Sequence, residues 1–163
     1  MRTKLLILTV GLALTFTACS PPGNSTAAGT TSSDVNVTQL FDADQSAPCR
    51  DAKSALSPHA TSTSTTFVLT IDVNAPLCTP VSAKAVVYAM PGNGVAWPQQ
   101  LVKVVPFTIS QAGTVTVTFE KGCGAAQFDV LTGATPQTIN NGLEHGPLLF
   151  QDVNTAQQYW GAP

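Results

Sequence analysis

Residues 114–119 read Thr-Val-Thr-Val-Thr-Phe. Val115, Val117 and Phe119 alternate with Thr114, Thr116 and Thr118. Successive side chains of a strand point to opposite faces, so the pattern predicts a strand with one apolar face and one hydroxyl-bearing face. The same period recurs upstream, where Phe67, Leu69, Ile71 and Val73 alternate with Val68, Thr70 and Asp72. Residues 83–89 (AKAVVYA) and 101–109 (LVKVVPFTI) are apolar and β-branched. Pro106 marks an edge or a bulge in the second run, because proline has no N–H to give to a ladder. Residues 35–41, 127–131 (QFDVL) and 147–151 (PLLFQ) are shorter strand candidates, and residues 152–159 are expected to form one helical turn.

Turn-forming residues separate these runs: Asn74-Ala75-Pro76, Pro91-Gly92-Asn93-Gly94, Ala112-Gly113, Gly122-Cys123-Gly124 and Asn140-Asn141-Gly142. About seven short strands with no long helical period predict an all-β, antiparallel sandwich over residues 35–163. Residues 107–119 (FTISQAGTVTVTF) resemble the strand–turn–strand corner of bacterial immunoglobulin-like domains, over a single hairpin. That resemblance implies an immunoglobulin-like sandwich. No buried Trp lies between two paired cysteines in the antibody manner, so only the broad architecture carries over.

The N-terminus has a separate character. Arg2 and Lys4 precede residues 5–16 (LLILTVGLALTF), an apolar run broken only by two threonines and a glycine. Twelve helical residues rise about 18 Å, short of a hydrocarbon core of about 30 Å but suited to a signal peptide. Thr17, Ala18, Cys19 and Ser20 follow. Small residues immediately before a cysteine resemble the bacterial lipobox, with Phe16 standing where Leu is usual. The resemblance implies cleavage ahead of Cys19 and a diacylglyceryl group on its sulfur. Residues 1–18 are then the signal peptide, and residues 19–34 the lipidated cysteine and a Ser/Thr/Pro/Gly-rich linker of flexible composition. The expected location is outside the cytoplasm, on the cell membrane. The absence of Asp at position 20 permits outer-membrane sorting in a two-membrane host.

Without Arg2 and Lys4, five basic residues face nine acidic ones, a balance of −4. Such a chain lacks the basic footprint that nucleic acid requires. Lipidation of Cys19 would leave Cys49, Cys78 and Cys123, an odd number in an oxidising compartment. Three pairings are open. Cys78–Cys123 is favoured here, since both flank strong strands, with Cys49 free; Cys49–Cys78 is the rival.

Searches for chemistry return little. Residues 42–46 (DADQS) imitate the start of a calcium loop, but Ala47 replaces the required glycine and Lys53 stands at the bidentate glutamate position. Asp72, Asp129 and Asp152 read as solvated turn carboxylates. His59 and His145 have no structurally held nucleophile in sequence reach, and Glu144-His145 reads as a turn. No cysteine or histidine spacing fits zinc. The expectation is a non-enzyme without metal or cofactor. Residues 90–100 (MPGNGVAWPQQ) form a Gly/Pro-rich loop carrying Trp97, and Tyr159-Trp160 lies near the C-terminus. These three aromatics are the expected contacts for an unidentified envelope protein or glycan, with a core plug as the competing reading of Trp97. The expected function is a binding or adhesion module on the cell envelope. The alternatives are an envelope-blocking, superinfection-excluding lipoprotein of a bacterium or its prophage, and a secreted hydrolase.

Overall fold

The computed structural model describes residues 33–142, 145–153 and 157–161. The signal peptide, Cys19 and nearly all of the linker lie outside the described residues. Nine strands and one short helix follow in chain order among them: β1 Asp34–Phe41, α1 Ala52–Ala55, β2 Leu56–Ser62, β3 Thr66–Val73, β4 Val81–Ala89, β5 Gln99–Ile109, β6 Gly113–Glu120, β7 Ala126–Leu131, β8 Thr138–Ile139 and β9 Gln157–Tyr159.

The strands form two antiparallel sheets, one in the order β1-β6-β3-β2 and the other in the order β8-β5-β4-β7-β9. The fold is an all-β sandwich.

Alternation explains the core. In β3, Phe67, Leu69, Ile71 and Val73 are buried and the residues between them are partly exposed. In β6, Val115, Val117 and Phe119 repeat the pattern. Phe119 stacks on its cross-strand neighbour Phe67 and, across the sandwich, on Phe128, with ring centroids 5.8 Å and 5.1 Å apart. Each such ring contributes about 1.5–3 kcal/mol on leaving water.

Residues 110–112 carry the chain from β5 in one sheet to β6 in the other. The expected hairpin over residues 107–119 is therefore a crossing between sheets. Gly113 makes the crossing feasible. It sits at φ +139°, and a Cβ there would lie 2.1 Å from the Leu40 carbonyl oxygen. Pro106 faces Lys84 in the β4–β5 ladder, on a stretch of β5 with no neighbour on its other side. The irregularity in that ladder lies instead opposite Val87 and Tyr88.

Other expectations are corrected. Residues 147–151 form no strand, because only Leu148 bridges to Leu131. Of the helical turn expected over residues 152–159, residues 157–159 form β9 instead, which pairs with β7, while residues 152–153 lie in a turn. The disulfide joins Cys49 to Cys78, not Cys78 to Cys123. Antiparallel geometry is the reason. Cys78 precedes β4 and Cys123 precedes β7, and antiparallel neighbours begin at opposite ends of their sheet. A parallel bridge between Arg50 and Leu77 brings Cys49 alongside instead, with a Cα–Cα distance of 4.9 Å. Neither Cys49 nor Cys123 is a free thiol.

Candidate binding surfaces and a buried polar network

The strands give the sandwich two ends. At one end lie the disulfide, the last residues of β1 and the first of β6. Leu40 and Phe41 close β1 there and are 73% and 56% exposed, the highest values among the described large apolar side chains. Strand β1 is an edge strand, paired only with β6. Its end is held by Gln45, whose amide nitrogen donates to the carbonyls of Asp42 at 2.8 Å and Ala112 at 2.9 Å. The Ala112 N–H donates in return to Gln45 Oε1 at 2.9 Å. Also at this end, Ala52, Lys53, Leu56, Pro58, Leu149 and Phe150 line an open groove of about 310 Å³.

The opposite end is built around residues 122–125. The Gly122 N–H donates to Ser33 Oγ at 3.0 Å, so the chain enters the sandwich here. The Met90 N–H donates to the Ala125 carbonyl at 2.9 Å, and Val95 bridges back to Gly92. Tyr159 pairs with Ala126, which sets Trp160 beside Ala125. Val95 and Trp160 are 52% and 44% exposed.

The three aromatics expected as contacts therefore separate. The Trp97 side chain packs against a second buried cluster of Val86, Tyr88, Leu131 and Ile139, on the outer face of the five-stranded sheet. Tyr159 packs against the main core, with the Lys121 ammonium 5.6 Å from its ring centroid. Only Trp160 presents much of its ring to solvent.

Sequence reading missed a polar network beneath that outer face. Gln99, Gln127 and Asp129 are fully or almost fully buried. Gln99 Nε2 donates to Gln127 Oε1 at 2.7 Å, and Gln127 Nε2 donates to Asp129 Oδ2 at 2.9 Å. Gln158 Nε2 adds a donation to Gln127 Oε1 at 3.2 Å. His145 Nε2 lies 3.6 Å from Asp129 Oδ2. Gln99 Oε1 and Asp129 Oδ1 have no hydrogen-bond partner.

Burial pushes the Asp129 carboxyl above the usual carboxylate range, against the lowering effects of Gln127 and of nearby His145. Burial, reinforced by the Asp129 charge, pushes the Tyr88 hydroxyl up to about 12, and that hydroxyl donates to the Pro136 carbonyl at 3.2 Å. Strand β7 is buried along its whole length, which no two-residue period announces. Residues 147–149 run along its C-terminal edge, where the Thr132 N–H donates to the Pro147 carbonyl and the Leu149 N–H to the Val130 carbonyl.

The other histidine stands on the opposite sheet. His59 Nε2 lies 3.3 Å from Asp72 Oδ2, and Thr114 Oγ1 donates to Asp72 Oδ1 at 3.3 Å. The carboxylate sits between hydroxyl and imidazole, whereas a nucleophilic relay needs the imidazole in the middle. Neither Asp72 nor Asp129 is a turn residue, since both lie within strands. Among the described residues no three His, Cys, Asp or Glu side chains converge as a metal site, and no helix is long and apolar enough to cross a membrane. Protein-family models, curated proteins and solved structures were compared with the chain, and none matches.

Proposed function

We propose that the protein is a non-catalytic binding module, held outside the cytoplasm by a lipid on Cys19, that engages a protein partner of the cell envelope. The exposed Leu40–Phe41 pair at the end of edge strand β1 carries this reading. An edge strand offers unpaired backbone groups as a template for strand addition, and adjacent exposed apolar side chains supply contact area. Gln45 and the Cys49–Cys78 bridge hold the neighbouring chain, so less ordering entropy is lost on binding. A protein fits this contact better than a glycan, because the surface combines an open backbone edge with apolar bulk.

The test places a photocrosslinking amino acid at position 40 of the full chain in intact cells. One discrete protein adduct, identified by mass spectrometry and lost from the Phe41→Ser variant, is the expected result. Both side chains are solvent-exposed, so the variant's stability should change by no more than about 0.5 kcal/mol. The same adduct pattern with and without Phe41 would refute the surface.

The anchor is tested on the processed protein. Within one chain only Cys19 remains to pair with Cys123, and a sulfur in a thioether to diacylglycerol cannot also form a disulfide. A lipid on Cys19 therefore requires Cys123 to pair outside the chain, and the two fates compete. An N-terminal peptide beginning at lipidated Cys19 supports the anchor, and a Cys19–Cys123 disulfide peptide overturns it.

A further inference from the structure

We infer that the end of the sandwich around residues 122–125 rests on the lipid bilayer, with Trp160 and Val95 in the headgroup interface. This inference depends on the anchor at Cys19. Three chain segments meet at that end. Ser33 is hydrogen-bonded to Gly122. A Cβ on Gly92 would lie 3.9 Å from the Ala125 Cβ. A Cβ on Gly161 would lie 2.9 Å from the Cys123 carbonyl and 3.6 Å from the Ala125 nitrogen. The point where the chain arrives from the anchor and the two exposed apolar side chains therefore share one surface.

Distance then selects the occupant. Thirteen residues, 20–32, separate Cys19 from Ser33. Their Ser/Thr/Pro/Gly-rich composition corresponds to a root-mean-square span of about 20 Å. The opposite end of the sandwich lies one strand length further on, about 27 Å for the eight residues of β6. The tether thus keeps the end bearing Trp160 nearer the membrane than the opposite end.

Its chemistry suits an interface. Trp is enriched at headgroup depth because its ring is apolar and its N–H polar. Residues 61–66 (TSTSTT) contribute hydroxyls at the same end, where the Lys121 ammonium donates to Ser62 Oγ at 2.8 Å and to the Thr63 carbonyl at 2.6 Å. Two exposed side chains form a weak contact alone. A short tether supplies a millimolar effective concentration, so weak affinity suffices. The result is a fixed orientation, with Leu40 and Phe41 directed away from the bilayer.

The experiment uses the full lipidated protein in phosphatidylcholine–phosphatidylglycerol vesicles, a fraction of whose acyl chains carry bromine. Tryptophan emission is compared between wild type and Trp160→Phe, with lipidation verified by mass and membrane attachment by flotation. Bromolipid should quench a component of the wild-type emission, and that component should be lost in Trp160→Phe. Protein that floats with its lipid but is not quenched overturns the docking and leaves the anchor standing. Quenching that persists undiminished in Trp160→Phe also overturns it, because another site then meets the lipid. A chain lacking the lipid mass overturns both readings. A circular-dichroism melt of Trp160→Phe matching wild type shows that the comparison is between folded proteins.

Discussion

Removing the Cys49–Cys78 bridge, by Cys49→Ser with Cys78→Ser, gives a loss that can be worked from the structure. The cysteines are 29 residues apart in sequence. On the chain-entropy argument, closing a loop of about 30 residues removes about 12 cal/mol/K from the unfolded chain, or about 3.6 kcal/mol at 25 °C. The strands themselves should survive, because the bridge lies outside every ladder and joins segments already tied by backbone hydrogen bonds. Arg50 N–H donates to the Pro76 carbonyl at 2.8 Å, and Cys78 N–H donates to the Arg50 carbonyl at 3.0 Å. For a domain of this size, each kcal/mol moves the melting temperature by about 3–6 °C. The double variant should therefore melt roughly 10–20 °C below wild type, with an unchanged far-ultraviolet spectrum. Urea unfolding followed by circular dichroism measures the difference directly. A loss below about 1 kcal/mol, with an unaltered urea slope, would refute the loop-closure reasoning.

Three further outcomes are expected. Gly113→Ala should cost several kcal/mol, because its Cβ would meet the Leu40 carbonyl at 2.1 Å at a φ that L residues rarely adopt; a melting temperature equal to wild type would contradict this. Trp97→Ala should cost roughly 2–3 kcal/mol, somewhat less than an enclosed Trp, because its ring packs on Val86, Tyr88, Leu131 and Ile139; thermal unfolding checks it. The raised pKa of Asp129 means that the folded state holds this proton more tightly than the unfolded chain. Its contribution to stability is therefore full at acid pH and falls as pH rises from about 3.8 toward the folded pKa. Asp129→Asn should gain on wild type at pH 7 and lose that advantage by pH 4, and a stability difference independent of pH would show that folding leaves the Asp129 pKa unshifted.

The sandwich was legible in the sequence wherever one face of a strand meets water. Residues 66–73 and 113–120 alternate because their outer faces are solvated, and the period of two survives into the structure. The middle of the second sheet was harder to read. Gln127 and Asp129 occupy the positions that alternation assigns to solvent, yet both are buried, in a hydrogen-bonded chain with Gln99 and Gln158 from other strands. Polarity records what a side chain is, and cannot show what a distant segment will place over it. Strand β2 (LSPHATS) was likewise missed, because it gains its ladder from β3 and carries little apolar pattern of its own.

The cysteines and aromatics mark the same boundary. The sequence by itself determined that strands of alternating character would bury Val, Ile and Phe in an antiparallel sandwich, since that follows from local backbone geometry and hydrophobicity. Tertiary structure alone decided which cysteine meets Cys78, because pairing depends on the end of the sheet at which each strand begins. It also decided that Trp97 turns into a second cluster, while Leu40, Phe41 and Trp160 face solvent at opposite ends. Exposure is a property of what packs against a residue, and those neighbours come from parts of the chain far away in sequence.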